Sequence, residues 1–232
     1  MDTLSLNKGE QRNLVFIDTP DLDLHVLQAE DSVLRLFVFD FHSAKNILHI
    51  DHKAANCVTE IYHLAFLHGS DTVSTHTRMH HEIGDGTSFQ LVKFVLDDTS
   101  KGDFLGELVI KPDAQRVDAQ QTNRNILLSK TATMRTRPQL EIYADDVKAS
   151  HGATTGQLDE SALFYMQQRC IAPDEARKML LRAFINDIIE KLPDERQRDD
   201  SYFFCFFFLS SSIKEMNAII TPITPTAKHI SW

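Results

Sequence analysis

The sequence predicts a mainly β protein, with many short strands stacked or layered over residues 1–157 and a small helical region after them. Three observations carry this. Short apolar and β-branched runs recur between turn residues. No amphipathic helix of ten or more residues interrupts them. After Gly156 the periodicity changes to a helical one.

The strand candidates are residues 14–17, 34–39, 46–50, 61–66, 89–96, 107–110, 125–128 and 140–143. Such a series is compatible with a sandwich, a barrel or a solenoid. A faint self-similarity points towards stacked coils. Glu107-Leu-Val-Ile-Lys-Pro-Asp113 resembles Gln139-Leu-Glu-Ile-Tyr-Ala-Asp145, and Val117-Asp-Ala119 falls where Val147-Lys-Ala149 falls. Small and amide-rich stretches such as Ala119-Gln-Gln-Thr-Asn-Arg-Asn125 suit tight corners and side-chain ladders. Two imperfect copies leave solenoid and sandwich evenly matched.

Behind the β region, residues 158–168 suit a short helix that Asp159 can cap. Cys170-Ile-Ala-Pro173 breaks it, and Pro173, Asp174 and Glu175 are the residues a first helical turn prefers. Ala176, Met179, Leu180, Ala183, Phe184 and Ile188 then form an apolar stripe, and Leu192-Pro193 ends the helix.

Composition narrows the function. The 232 residues carry a formal net charge of −9, which argues against a nucleic-acid binder and gives no support for attraction to anionic lipid. Cys57, Cys170 and Cys205 are far apart and odd in number, so neither a disulfide framework nor a self-contained zinc or cluster site is indicated. With no signal peptide visible, a cytoplasmic setting is expected. Tyr202 to Leu209 reads YFFCFFFL; it is too short to span a bilayer and is an aggregation hazard if exposed.

The chemistry-bearing residues are few. His76 and His80 share one face of a strand while His81 points to the other, and a metal site there would need a ligand from elsewhere. Surface or ladder histidines are the preferred reading. Gly84-Asp-Gly86 is a turn that matches no phosphate-binding fingerprint. There is no nucleophile elbow, zinc-protease motif or outstanding carboxylate pair, so the residues make no case for an enzyme. His151 sits among small residues where the β region ends. There it could face a partner, and imidazole suits iron, copper or zinc. Its pattern alone favours a corner histidine bonded to backbone.

Pro138-Gln-Leu-Glu-Ile-Tyr-Ala-Asp-Asp-Val147, Ser150-His-Gly-Ala-Thr-Thr-Gly-Gln-Leu-Asp159, Leu163-Phe-Tyr165 and Arg169 together closely resemble the SufB/SufD family. Asp113-Ala-Gln115, Gln121-Thr-Asn123 and Asn125-Ile-Leu-Leu-Ser129 fit it too, and the likeness runs from about residue 75 to 192. His151-Gly152 is the SufD form, since SufB has a glutamate after the equivalent histidine, and SufB's cluster-site cysteine has no counterpart here.

The resemblance implies a right-handed parallel β-helix at 1–157 and a C-terminal helical domain at 158–195. It implies a non-catalytic scaffold that pairs with SufB through the β-helix and docks the SufC ATPase through its helices. The iron–sulfur cluster would be transient and shared with SufB, with none bound by this chain alone. His151 would be a ligand or proton carrier at that interface, and Leu180, Phe184 and Ile188 are the candidate SufC-docking residues. No nucleic-acid or membrane partner is expected.

Four departures stand out. The family's N-terminal helical domain is missing. Ala149 replaces a common Cys, and Cys170 replaces the usual Gly at a helix end where left-handed geometry would strain it. The tail at 196–232 looks foreign to the family and is expected to be poorly ordered; a frameshifted or truncated reading is preferred over a lineage-specific extension. The competing classes are a β-solenoid carbohydrate-active enzyme, which would need clustered acidic and basic groups and normally a secretory signal, and a family fragment with no function of its own.

Overall fold

Alternation of inward, mostly apolar residues with outward ones marks many of the strands. In Asp21–Gln28, for example, Leu22, Leu24, Val26 and Gln28 are buried while Asp23, His25 and Leu27 are partly exposed. The computed structural model describes residues 1–193, and the aromatic run and the tail lie outside them.

Twelve strands follow one another: β1 (Asp2–Leu6), β2 (Gln11–Ile17), β3 (Asp21–Gln28), β4 (Val33–Asp40), β5 (Ala44–His52), β6 (Val58–Leu67), β7 (Thr72–His81), β8 (Thr87–Leu96), β9 (Lys101–Ile110), β10 (Val117–Leu127), β11 (Thr133–Ile142) and β12 (Val147–Gly156). The odd strands form one parallel sheet in sequence order and the even strands another. This is a two-sheet parallel β-helix, which decides between the solenoid and the sandwich.

Each turn of the coil stacks on the previous one in register, so like residues form ladders. One apolar ladder runs Leu4, Val26, Ile50, Met79, Leu108, Leu140 across the odd sheet. The next inward row runs Gln28, His52, His81, Ile110, Ile142. Buried polar groups in these rows are bonded to corner residues of the opposite sheet. His52 Nε2 lies 2.8 Å from Thr59 Oγ1, and His81 Nε2 lies 2.9 Å from Ser88 Oγ. The Thr59 hydroxyl hydrogen goes to Gln28 Oε1, so His52 donates from Nε2. The two imidazoles meet edge to face at 4.5 Å, and Gly86 makes room for them: a Cβ there would sit 2.8 Å from His52 Nδ1 and 2.9 Å from His81 Nδ1.

The corners explain the acidic and amide turn residues. Asp31, Asn56, Asp85 and Arg116 adopt left-handed φ at one set of corners, and Asp18 and Asp98 at the other. Asp and Asn tolerate that geometry better than other side chains. The Ala119–Asn125 stretch is not a corner: it lies within β10, where Gln121, Asn123 and Asn125 face inward and are buried. Two of its amides bond along the strand rather than between turns, Asn123 and Asn125 to each other at 3.0 and 2.7 Å.

From Leu158 a second compact unit begins. Helix α1 (Glu160–Gln168) is capped by Asp159, which accepts from the backbone N–H groups of Ser161 and Ala162. It closes with the N–H groups of Cys170 and Ile171 bonded to Gln167 and Met166, and Cys170 takes φ +63°, the left-handed position where glycine is preferred. Helix α2 (Pro173–Ile189) starts on Pro173 with Asp174 and Glu175 in its first turn. Its buried face is Ala176, Leu181, Ile185, Ile188 and Ile189, with Leu192 following. The expected stripe through Met179, Leu180, Ala183 and Phe184 is therefore not the buried one. Met179 and Ala183 are exposed, and Leu180 and Phe184 are partly exposed.

Candidate functional site: the open last turn

The coil has to stop somewhere, and among the described residues nothing stacks beyond β11 and β12. Their inward rows are consequently only half covered. Val147 and Ala149 of β12 and Met134 and Leu140 of β11 pack back onto the core, while Ile142 is 42% exposed and the following Tyr143 58%. Each of these two strands has one edge without a ladder partner among the described residues.

His151 is not in a corner. It lies within β12, opposite Gln121, in the row that runs Leu14, Leu36, Ile61, Gln90, Gln121, His151. That row is apolar for its first half and turns polar towards the open end. Every member from Leu14 to Gln121 is buried, whereas His151 is exposed. The imidazole thus stands on the inward face of the last turn and reaches solvent because no further turn closes over it.

The layer beneath it is polar and tightly held. Thr77 Oγ1 donates to Gln90 Oε1 at 2.9 Å, and Gln121 Nε2 reaches the same oxygen at 3.4 Å. Gly106 allows Gln121 its place, since a Cβ there would lie 2.5 Å from Gln121 Nε2. Gln121 Oε1 is buried without a hydrogen-bond partner, directly under His151 in the register. Asn125 Nδ2 ties β12 down by donating to Thr154 O and Thr155 Oγ1, both at 3.1 Å. Ala149, Gly152 and Ala153 keep the surface around the imidazole low.

Of the candidate docking residues, Leu180 and Phe184 are partly exposed on α2 and Ile188 is fully buried. Met179 on the same helix is 51% exposed, and Phe164 and Tyr165 on α1 are also exposed. Among the described residues, no helix is long and apolar enough to cross a membrane.

A second cluster lies on the outward face of the odd sheet. As expected, His76 and His80 face outward and His81 is sealed inside. The neighbouring strands add His25 and His49, which stand opposite each other and stack at 4.4 Å, and Asp51, which stands opposite His80. His25 Nε2 is 2.9 Å from Asp51 Oδ2, while His49 Nε2 and His80 Nδ1 are 3.0 and 3.2 Å from Asp51 Oδ1. Burial lowers the pKa of His49 and His80 below the usual imidazole value. Burial alone would raise that of Asp51, but the hydrogen bond from His25 and the nearby His49 and Lys53 outweigh it and hold the carboxyl below its usual range. The sequence reading missed this group because it did not mark β3 as a strand. The Leu22, Leu24, Val26 alternation, which turns His25 outward, was the available signal.

Comparison with known proteins agrees with this architecture. The family model described as SUF system FeS cluster assembly, SufBD core domain, matches residues 22–184. The chain is 39% identical over 140 residues to iron-sulfur cluster assembly protein SufD of Escherichia coli K12, covering 60% of this chain and 33% of that protein. It is 37% identical over 135 residues to the SufBD family protein slr0076 of Synechocystis, covering 58% and 30%. To the chloroplastic protein ABCI7 of Arabidopsis thaliana it is 34% identical over 155 residues, covering 66% and 33%. The chain spans about a third of the length of these curated relatives. The match of the SufBD core domain over residues 22–184 places the chain in the SufB/SufD family of iron–sulfur cluster assembly proteins, and the likeness to SufD puts it on the SufD side.

Proposed function

We propose that this chain is a non-catalytic scaffold subunit for iron–sulfur cluster assembly, pairing with SufB through the open end of its β-helix. The observation that carries this is the unfinished last turn. Two strand edges and a half-covered inward row, with Ile142 and Tyr143 exposed beside them, form a surface that another β-solenoid end can complete. Among the described residues, His151 is the inward-facing histidine that such a partner would reach.

At that interface His151 serves as a cluster ligand or a proton carrier beside a thiolate of SufB. Imidazole is an accepted substitute for cysteine on iron, and the cluster is the cargo of the complex rather than a resident of this chain. Gln121 Oε1, buried and unpartnered beneath it, can accept one imidazole N–H and so leave the other nitrogen free to bind or exchange a proton. Ala149 places no second thiol beside the histidine, so the chemistry on this side rests on the imidazole alone.

The helical unit from Leu158 onward is proposed to dock the SufC ATPase. Leu180 and Phe184 remain candidates, and Met179 joins them on exposure. Ile188 is buried and acts by holding α2 in shape. A cytoplasmic location fits this role.

Co-expression with SufB and SufC tests the reading: the chain should co-purify with both, and failure to associate with either rejects it. Within a complex that forms, His151→Ala should lower cluster yield at least tenfold while leaving the thermal midpoint of the subunit unchanged. An unaltered yield would remove His151 from the site.

A further inference from the structure

The geometry of the outward histidine cluster points to a function separate from the open end. Three imidazoles from three neighbouring strands converge on one carboxylate, Asp51, which is only 4% exposed although it faces outward. A surface salt bridge needs no such enclosure. Nor do the contacts resolve into hydrogen bonds. Only the His25–Asp51 contact has hydrogen-bond geometry, whereas His49 Nε2 and Asp51 Oδ1, 3.0 Å apart, are both buried without a hydrogen-bond partner. Buried polar atoms are normally satisfied, so two orphans aimed at the same volume mark a place where something else is bound.

The donor set says what it is. His25, His49 and Asp51 offer ligand atoms that all lie within 4.8 Å of one another; His80 Nδ1, 3.2 Å from Asp51 Oδ1, stands beside that group and is not part of it. Bonds of about 2.0–2.1 Å to nitrogen and oxygen around a tetrahedral ion place neighbouring ligand atoms about 3.3 Å apart, near the 2.9 and 3.0 Å at which the His25 and His49 nitrogens meet the two carboxylate oxygens. Two imidazoles with one carboxylate suit a borderline divalent ion, not a hard one such as Mg²⁺ or Ca²⁺.

We propose that His25, His49 and Asp51, with His80 beside them, form a binding site for one borderline divalent transition-metal ion, Zn²⁺ or Fe²⁺, in which the first three supply the ligands. The surrounding charges are compatible with it. Lys53 lies 3.4 Å from Asp51 Oδ2 but is also paired with Glu82, which can hold it when a metal takes the carboxylate. Arg78 is paired with Glu107 on the next strand, which also lies 3.4 Å from His76 Nε2. The parallel β-helix supplies the rigidity: His25 and His49 are fixed by ladder register, and Asp51 and His80 by the same register one row along. The site lies on the odd sheet and His151 on the even one, so it stands whether or not the chain pairs with SufB.

The test uses the full chain, stripped with a chelator under reducing conditions. It is titrated with Zn²⁺ against a chromophoric competitor, with Fe²⁺ anaerobically, and with Co²⁺ as a spectroscopic probe. One equivalent of metal is expected, Zn²⁺ tighter than Fe²⁺, with Co²⁺ bands of a nitrogen and oxygen site and no thiolate charge transfer. His49→Gln and Asp51→Asn should each weaken binding at least tenfold, and His151→Ala should leave it unchanged. If Asp51→Asn fails to fold, His25→Gln, at a partly exposed position, takes its place. Less than one equivalent, a thiolate spectrum, or affinity within twofold of wild type in His25→Gln/His49→Gln overturns the proposal.

Discussion

The closed middle of the β-helix and its open last turn are built from the same rows of residues, yet those rows do opposite work in the two places. Val26, Ile50, Met79 and Leu108 are essentially inaccessible, while Leu140, next in their row, is only partly buried. His52 and His81 are sealed on the inward face, and His151, on the same face of the other sheet, is open to solvent. Position within a turn therefore sets which way a side chain points, and position along the stack sets whether it is structural or available. In a solenoid each turn contacts only its neighbours, so the last one is always a surface in waiting.

The largest expected effect tests that comparison along the Leu108–Leu140 pair. Leu108→Ala should cost about 2–5 kcal/mol, because its site is enclosed by turns on both sides and cannot collapse. Leu140→Ala should cost about 1 kcal/mol in the isolated chain, where solvent already reaches the side chain. In the complex with SufB the Leu140 penalty should rise towards that of Leu108. Chemical denaturation of each variant, free and bound, reads this out. Equal costs in the free chain would mean that the last turn is as closed as the middle.

Acid should weaken the closed middle through its buried histidines. Burial pushes the His81 imidazole down to about 4, and that of His52 well below its usual value. A base with a depressed folded-state pKa binds fewer protons folded than unfolded, so stability is complete above about pH 6.5 and falls as pH drops from there to about 4. His81 alone accounts for about 3 kcal/mol across that window. Denaturation midpoints of wild type and His81→Gln should therefore converge as pH falls from 7 to 4. Parallel wild-type and His81→Gln curves would show that the interior admits water.

How much of this was legible follows from the same physics. The repeat is longest near the end of the coil: Thr133 stands opposite Lys101, 32 residues on, and Val147 opposite Val117, 30 residues on. Those are the offsets at which the sequence repeats itself. At the start Leu24 stands opposite Asp2 at only 22, so no single period runs through the chain. Strand β12 was hidden because Ala149, Gly152, Ala153 and Gly156 have little β propensity of their own; the ladder to β10 imposes their extended form. In α2 the apolar residues from Met179 to Ile189 cover more than one side, so periodicity alone could not choose the buried face. For His151 the small neighbours signalled exposure, but its position was not legible: the pattern favoured a corner, and the ladder to β10 puts it within β12. The local alternation in β3 could have turned His25 outward, but bringing it to His49, Asp51 and His80 depended on register between β3, β5 and β7, which no local pattern encodes.

The smallest effect is the sharpest comparison, because Ala119 and Ala149 are direct neighbours in one row. Ala119 is fully buried, with Ser88 on one side and Ala149 on the other, so Ala119→Cys forces a sulfur into a packed interior and should cost about 1–3 kcal/mol. Ala149 touches the core on one side only, so Ala149→Cys should change stability by less than about 0.5 kcal/mol. Its consequence should be chemical: the new thiol stands two residues from His151 on the same face of β12 and should react with a thiol reagent in the free chain. Pairing with SufB should then protect it. An Ala149→Cys thiol that stays reactive in the complex would place the partner on another surface and return the open end to solvent.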